Sequence, residues 1–290
     1  MIQLANTEKI KELMHRNSPD NTVDLHFHSY CSDGELSPKE VVARMVNKGK
    51  KLIALTDHDG ISGVAEARAE AKKLGVEFVS GIEISAEHYF QGKMISAHIL
   101  GYGIEIENKK LLEKMKQLES FRKERNKQLI IALQEAGYDI DTEDVVFRAG
   151  QTYIGKPLIA RALINKGYIK TKEEAFESEL IFENPKIRNI RKEKISIRES
   201  IELIHGSGGI VVLAHPGRLR KMGEFESEEF YENVNDFVGE LKNLGIDGLE
   251  AWYERFSTKE KEKFAQMGRK YKLILTGGSD FHGENLEAED

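Results

Sequence analysis

The sequence predicts an α/β protein: a barrel-like, largely parallel sheet of about seven strands, interrupted once by a helical insertion. Three observations carry that expectation. Short runs rich in β-branched residues end in polar residues and alternate with helical patterns, the mark of βα units. This rhythm stops between Gly103 and Lys194 and resumes afterwards. Of the 290 residues, 40% are hydrophobic, enough for one large core, or for a core domain carrying an insertion.

In order along the chain, strands are expected at 23–28, 52–56, 76–85, 94–102, 210–214, 248–252 and 273–276. Helices fit between them. One runs over 38–48, with Ser37 as its cap and Pro38 preset for the first turn. A second, 62–74, ends at Gly75, and others cover 197–205, 228–244 and 258–270. Inside the interruption the pattern is helical at 108–136, at 157–166 before Gly167, and at 172–181. The first 20 residues resemble a short amphipathic helix ending at Asn17-Ser18-Pro19, packed outside the barrel. The expected organisation is therefore an N-terminal helical extension (1–20), a barrel domain (21–104 and 195–290) and a helical insertion or lid (105–194).

Charge and cysteine usage narrow the function classes. The net charge of −6 argues against a surface-wide groove for a polyanion, so no long nucleic acid is expected as partner. The charge is uneven. Residues 106–200 hold 20 Lys and Arg against 16 Asp and Glu, leaving 23 against 33 elsewhere, so an anionic ligand is better received near the middle segment. The competing reading of that segment is a solvated helical surface. Cys31 is the single cysteine, which excludes an internal disulfide, and the polar start MIQLANTEKIKE lacks the apolar stretch of a signal or membrane span. A cytoplasmic protein without membrane contact is the expectation; the oligomeric state is left open.

The chemistry lies in where the histidines fall. Six of nine sit at or just beyond strand ends: His26, His28, His58, His98, His215 and His282. In a barrel the C-terminal strand ends converge on one face, so residues far apart in sequence meet there. His26 and His28 have strand spacing and point to one side, with Leu25 and Phe27 facing the other. The loop Ser29-Tyr30-Cys31-Ser32-Asp33-Gly34 brings a carboxylate to that pair, Glu83 ends the third strand, and Asp280 and His282 follow the last. Imidazole mixed with carboxylate, with no thiolate, suits open sites for Mn²⁺, Zn²⁺ or Fe²⁺ rather than a closed structural zinc site. Asp57 and Asp59 flank His58 and are expected to hydrogen-bond ligand imidazoles. His15, His88 and His205 are read as surface or packing residues, and Glu250, at a strand end, is given no role.

The order HxH, SDG, TDHD, GxE, a strand histidine, AHP and SDFH, over nearly the whole chain, resembles the polymerase-and-histidinol-phosphatase (PHP) family. The resemblance implies a distorted (β/α)7 barrel with a trinuclear metal centre. It implies one ion at His26, His28, Glu83 and Asp280, a second at Glu83, His98 and His215, and a third at Asp33, His58 and His282. His26, His28, Glu83, His215 and Asp280 would then carry catalysis: hydrolysis of a phosphate ester by metal-bound hydroxide. Two ions about 3.5–4 Å apart suit an in-line displacement. Arg218, in His215-Pro216-Gly217-Arg218, is placed to grip a phosphate in bidentate fashion, against the alternative of a surface salt bridge.

Within the family, the helical insertion resembles bacterial nucleotide phosphatases acting on nucleoside 3′,5′-bisphosphates, AMP or the 5′ ends of short RNA. Their insertion helix opens on a Gly-Arg-Pro-His-like motif followed by Ala-Arg. Here the text is Gly155-Lys156-Pro157-Leu158-Ile159-Ala160-Arg161, so Lys156 replaces the forked donor and Leu158 a hydrogen-bonding ring. Lys156 and Arg161 are candidates for a second phosphate, with plain helix solvation as the alternative. The partner expected is a small phosphorylated substrate, most simply a nucleotide. Histidinol phosphate or another sugar phosphate is the alternative substrate, and a non-catalytic metal-binding sensor the alternative class.

Overall fold

The computed structural model describes residues 21–146, 154–177 and 181–283. Seven strands follow one another around a nearly closed barrel: β1 (Val23–Phe27), β2 (Leu52–Leu55), β3 (Glu77–Phe90), β4 (Lys93–Tyr102), then β6 (Ile210–Leu213), β7 (Gly248–Glu250) and β8 (Ile274–Thr276). The two-residue β5 (Ile195–Ser196) pairs with β3 off this path. The backbone beyond β8 returns to β1. Leu25 N donates to Gly277 O at 3.1 Å, Asp280 N to His26 O at 2.7 Å and His28 N to Phe281 O at 2.9 Å. All seven expected strands are present.

The expected parallel order fails at β4, which runs antiparallel to both β3 and β6. The cause is local. Only Gln91 and Gly92 separate β3 from β4, both with positive φ (45° and 78°), the geometry of a tight hairpin. A crossover helix has no room there, and a parallel return needs about a dozen residues. β3 also runs on to Phe90, so Glu83 lies inside the strand and not at its end.

Alternation along the strands sorts the apolar side chains. Leu52, Ala54, Leu100, Tyr102, Val212 and Ile274 fill the barrel interior with Leu25. Ile53, Leu55 and Phe27 instead pack outward against α1 (Pro38–Asn47) and α2 (Val64–Leu74). Leu25 and Phe27 were expected on one face, yet they fall in different clusters. Pairing between β1 and β2 slips between Asp24 and Phe27, and such a bulge re-aims side chains. A capping box fixes the start of α1: Ser37 N donates to Glu40 Oε2 at 2.8 Å while Glu40 N donates back to Ser37 Oγ at 3.2 Å, a device contributing about 1 kcal/mol.

The interruption is helical: α3 (Lys109–Glu135), α4 (Lys156–Asn165), α5 (Lys172–Glu177) and α6 (Pro185–Arg188). The first half of α3 packs Leu111, Met115 and Leu118 into the cluster that also holds Ile197 and Ile204 of α7 (Ile197–Gly206). Its second half shares a separate cluster with Ile159, Leu163, Phe182 and Ile187. The remaining helices, α8 (Glu228–Leu244) and α9 (Thr258–Lys270), lie where the sequence put them. The expected N-terminal helix over 1–20 lies outside the described residues, as do 178–180 of the helix expected over 172–181. Among the described residues no helix is long and apolar enough to cross a membrane.

Candidate metal centre

Six stretches of chain deliver the cluster to one end of the barrel. The bulged β1 supplies His26 and His28, whose rings lie 5.3 Å apart. The loop after β1 supplies Asp33. His58, beyond β2, bridges to Glu83 on β3, and the antiparallel hairpin sets His98 of β4 opposite Ser85. His215 follows β6, while Asp280 and His282 follow β8. Two of these residues hold left-handed backbone, His215 (φ 23°) and Asp280 (φ 53°), conformations that side chains rarely adopt and that cluster at functional sites. The last segment can come this close only through glycine, because a Cβ on Gly278 would lie 2.3 Å from that of His26.

Glu83 stands at the centre, fully buried, with its two oxygens facing different groups. Oε2 lies 3.3 Å from His26 Nε2, 3.3 Å from His28 Nε2 and 2.9 Å from His58 Nδ1. Oε1 lies 3.0 Å from His98 Nδ1 and 3.1 Å from His215 Nε2. Asp280 Oδ1 is 3.0 Å from His28 Nε2 and 3.2 Å from His26 Nε2. Asp33 reaches His282 at 3.3 Å and His58 at 3.6 Å. Three groups have donors spaced to share an ion: His26, His28, Glu83 and Asp280; His58, Glu83 and His98; and His28, Asp33, His58 and His282. Eight of the nine residues singled out from sequence fall in these groups, with His28, His58 and Glu83 each in two; His58 stands beside Glu83 and His98 where His215 was expected, and His215 joins the cluster through its 3.1 Å contact with Glu83 Oε1.

Electrostatics in this cluster pulls protons onto the rings. Burial opposes a charged ring at His58, but Glu83 and Asp33 outweigh it and raise its pKa to about 9. Burial likewise disfavours charge on His26 and His215; the carboxylates of Glu250, Glu83 and Asp280 raise the first, and the Glu83 hydrogen bond raises the second. Burial would push Glu83 up, yet His58, His26 and His98 hold it well below the usual carboxylate range. His98 goes the other way, lowered mainly by burial.

A supporting set fixes the rings. Glu250, fully buried at the end of β7, accepts from His26 Nδ1 at 3.0 Å and from the backbone N of His215 at 2.8 Å. That leaves His26 Nε2 aimed at Glu83 and Asp280. Tyr253 Oη donates to Asp280 Oδ2 at 3.0 Å, and His282 Nδ1 donates to the Asp280 carbonyl at 2.8 Å. Sequence alone assigned Glu250 no role and did not single out Tyr253. Glu250's place at a strand end on the active face was the available signal.

Asp57 and Asp59 do not bond imidazoles as expected. Asp57 accepts from Ser29 N, Ser29 Oγ and Ser32 Oγ, each at 2.7 Å, and so braces the loop carrying Asp33. Asp59 turns away, with φ 47°, toward Lys192 and Arg122 of the interruption. The two carboxylates flank His58 on opposite sides of the chain, and each takes the nearest donors. His88 and His205 pair with Glu240 and Asp247, away from the cluster; His15 lies outside the described residues.

Arg218, in the short 3₁₀ turn Pro216–Arg218, lines a cavity of about 690 Å³ together with His98, His215 and Arg191. Lys156 opens α4, its Nζ 4.9 Å from the Phe182 ring centroid, and burial together with Arg125 and Arg191 lowers its pKa. Neither Lys156 nor Arg161 lines that cavity. Leu158 is buried at 8% exposure, a packing position.

The donor set fits divalent ions. His26 Nε2 and Glu83 Oε2 are buried and make no hydrogen bond, although they face each other and Asp280. Buried polar atoms left so are costly unless a further group meets them. Barrel and site together define a metal-dependent hydrolase whose donors meet at one end of the barrel. The PHP domain model matches residues 24–248. The 3′,5′-nucleoside bisphosphate phosphatase of Chromobacterium violaceum is 33% identical over 270 residues, 92% of this chain and 90% of its own length. The phosphoribosyl 1,2-cyclic phosphate 1,2-diphosphodiesterase of Eggerthella lenta is 29% identical over 262 residues, 90% and 94% of the two chains. A metal-dependent phosphoesterase structure from Bifidobacterium adolescentis superposes with a TM-score of 0.76 at 27% identity, covering 92% of this chain and 90% of the other. The chain belongs to the PHP family and is a metal-dependent phosphoesterase.

Proposed function

We propose that this hydrolase removes phosphate from a small phosphorylated metabolite, a nucleotide: a nucleoside 3′,5′-bisphosphate, AMP or the 5′ end of a short RNA. One observation carries the reading: Glu83 divides its two oxygens between separate sets of imidazoles beside a cavity carrying Arg218. The Chromobacterium violaceum relative, a 3′,5′-nucleoside bisphosphate phosphatase, supports the nucleotide reading. Two or three Mn²⁺, Zn²⁺ or Fe²⁺ ions, held by His26, His28, Glu83 and Asp280, by Glu83, His98 and His215, and by Asp33, His58 and His282, would acidify water and neutralise phosphate charge.

The chain's own residues prepare that chemistry. Glu250 holds a proton on His26 Nδ1 and keeps its Nε2 turned inward. Tyr253 fixes one Asp280 oxygen, leaving the other for the cluster. Arg218, beside His215, grips two phosphate oxygens and sets the ester for attack. Lys156 and Arg161, in the segment that would serve as a lid (105–194), receive a second phosphate. The reaction would take place in the cytoplasm.

A second reading, a sugar-phosphate ester, is favoured by the Eggerthella lenta relative, which acts on a phosphoribosyl cyclic phosphate. Purified protein with Mn²⁺ is assayed against adenosine 3′,5′-bisphosphate, AMP, a short 5′-phosphorylated oligoribonucleotide, ribose 5-phosphate and histidinol phosphate. The nucleotides should turn over fastest, with activity lost on chelation. Preference for either sugar substrate would replace the nucleotide reading; hydrolysis of none would remove it.

A further inference from the structure

The cavity beside His98 and His215 is far larger than a phosphate needs, and it does not stop at Arg218. Its lining also takes in Met94 and Ser96 of β4, Arg220 and Phe225 of the 219–226 loop, and Arg255. At about 690 Å³ it falls within the range of sites that enclose a whole small molecule. Its lining carries five cations, Arg191, Arg218, Arg220, Lys221 and Arg255, against Glu226 and Glu260.

Phe225 is the anomaly in that lining. It is 56% exposed, although its neighbours Phe230 and Phe256 are buried at 2% and 5%. Its ring leans on Phe230 with centroids 5.5 Å apart, so one face is supported from within the protein. The loop that carries it is tied down rather than loose. Lys221 Nζ donates to Met94 O at 3.0 Å, Lys93 Nζ to Lys221 O at 3.3 Å, and Asn233 Nδ2 to Met222 O at 2.8 Å. A half-exposed phenyl ring in the lining of a cationic cavity offers a flat apolar face and no hydrogen-bonding edge. That is the surface a nucleobase stacks on, with cations nearby for phosphate.

We propose that the nucleoside portion of the substrate occupies this cavity with its base stacked on Phe225. The proposal rests on the nucleotide reading above. Stacking recognises the π-face that every base shares, so purine and pyrimidine nucleosides both gain from the ring. A sugar phosphate lacking a base would leave the ring uncovered.

The test separates the subsite from the chemistry. Equilibrium dialysis of the Mn²⁺-supplemented full chain against adenosine, uridine and ribose measures binding without any phosphate to hydrolyse. Adenosine and uridine should both bind about tenfold more tightly than ribose. Phe225→Ala should weaken both nucleosides about tenfold, and Phe225→Trp should restore them. Equal binding of adenosine and ribose, or nucleoside binding indifferent to Phe225→Ala, overturns the proposal. In turnover, the ratio of kcat/KM for AMP to that for ribose 5-phosphate should fall about tenfold in Phe225→Ala. A parallel fall for both substrates assigns Phe225 to loop structure and also overturns it. Should the wild type hydrolyse no nucleotide, the substrate reading fails while the dialysis still decides the subsite.

Discussion

Six imidazoles and three carboxylates, Glu83 at their centre, arrive from six stretches of backbone with ring centroids 4–6 Å apart. In the helical interruption, by contrast, Arg122, Arg125, Lys156, Arg191 and Lys192 carry charge on long side chains, with Glu183 and the barrel's Asp59 as acids beside them. The barrel places its donors by strand register, bulge and left-handed turns, so each ring has one available position. In the interruption Lys192 and Arg122 meet Asp59, and the Lys156 ammonium lies over the Phe182 ring. The first region holds the candidate metal donors, and the second offers the cations proposed for a second phosphate.

The largest effect should come from the barrel. Glu83→Ala removes the atom pair that both sets of imidazoles face, and activity should fall about a thousandfold or more. If instead it falls only as far as an insertion variant does, the two regions are equal partners and the contrast is lost. One step out, Glu250→Gln keeps the shape but weakens the acceptor for His26 Nδ1; metal affinity by calorimetry should drop about 10- to 100-fold. Unchanged affinity would show that β7 merely packs there.

In the interruption the expected effects are smaller and selective. Lys156→Ala should raise KM for adenosine 3′,5′-bisphosphate about tenfold while moving AMP less, the loss of one charge-assisted contact. Equal effects on both substrates would return Lys156 to helix solvation.

The smallest effect concerns pH. His58 binds its proton more tightly folded, at about 9, than unfolded, near 6.5, so in metal-free protein its contribution is fully present below about pH 6.5 and lost as pH rises through about 9. Asp33, Glu83 and Asp280 are depressed, so theirs is present above the ordinary carboxylate range and lost in acid. Chelator-treated protein should therefore melt highest at about pH 5–6.5 and lower at pH 9.5, with added Mn²⁺ reducing the alkaline fall. A flat profile would remove the proton–carboxylate network.

What could be read from sequence follows the same division. Histidines at strand ends and β-branched runs are local signals, so the nine cluster residues and all seven strands were visible. The antiparallel β4 was missed because its signal is only two residues long, Gln91-Gly92, between runs that otherwise read as parallel strands. The bulge that separates Leu25 from Phe27 leaves no mark in a pattern of alternation. Glu250 acts on residues 224 and 35 positions away, and Asp59 finds Lys192 across 133, distances at which spacing says nothing.

Glu83 is placed to join a group of ions in one cluster. Native mass spectrometry of the Mn²⁺-reconstituted chain counts them directly. Two or three ions per wild-type chain are expected, and fewer in Glu83→Ala; a wild type that retains one ion or none would overturn the shared site.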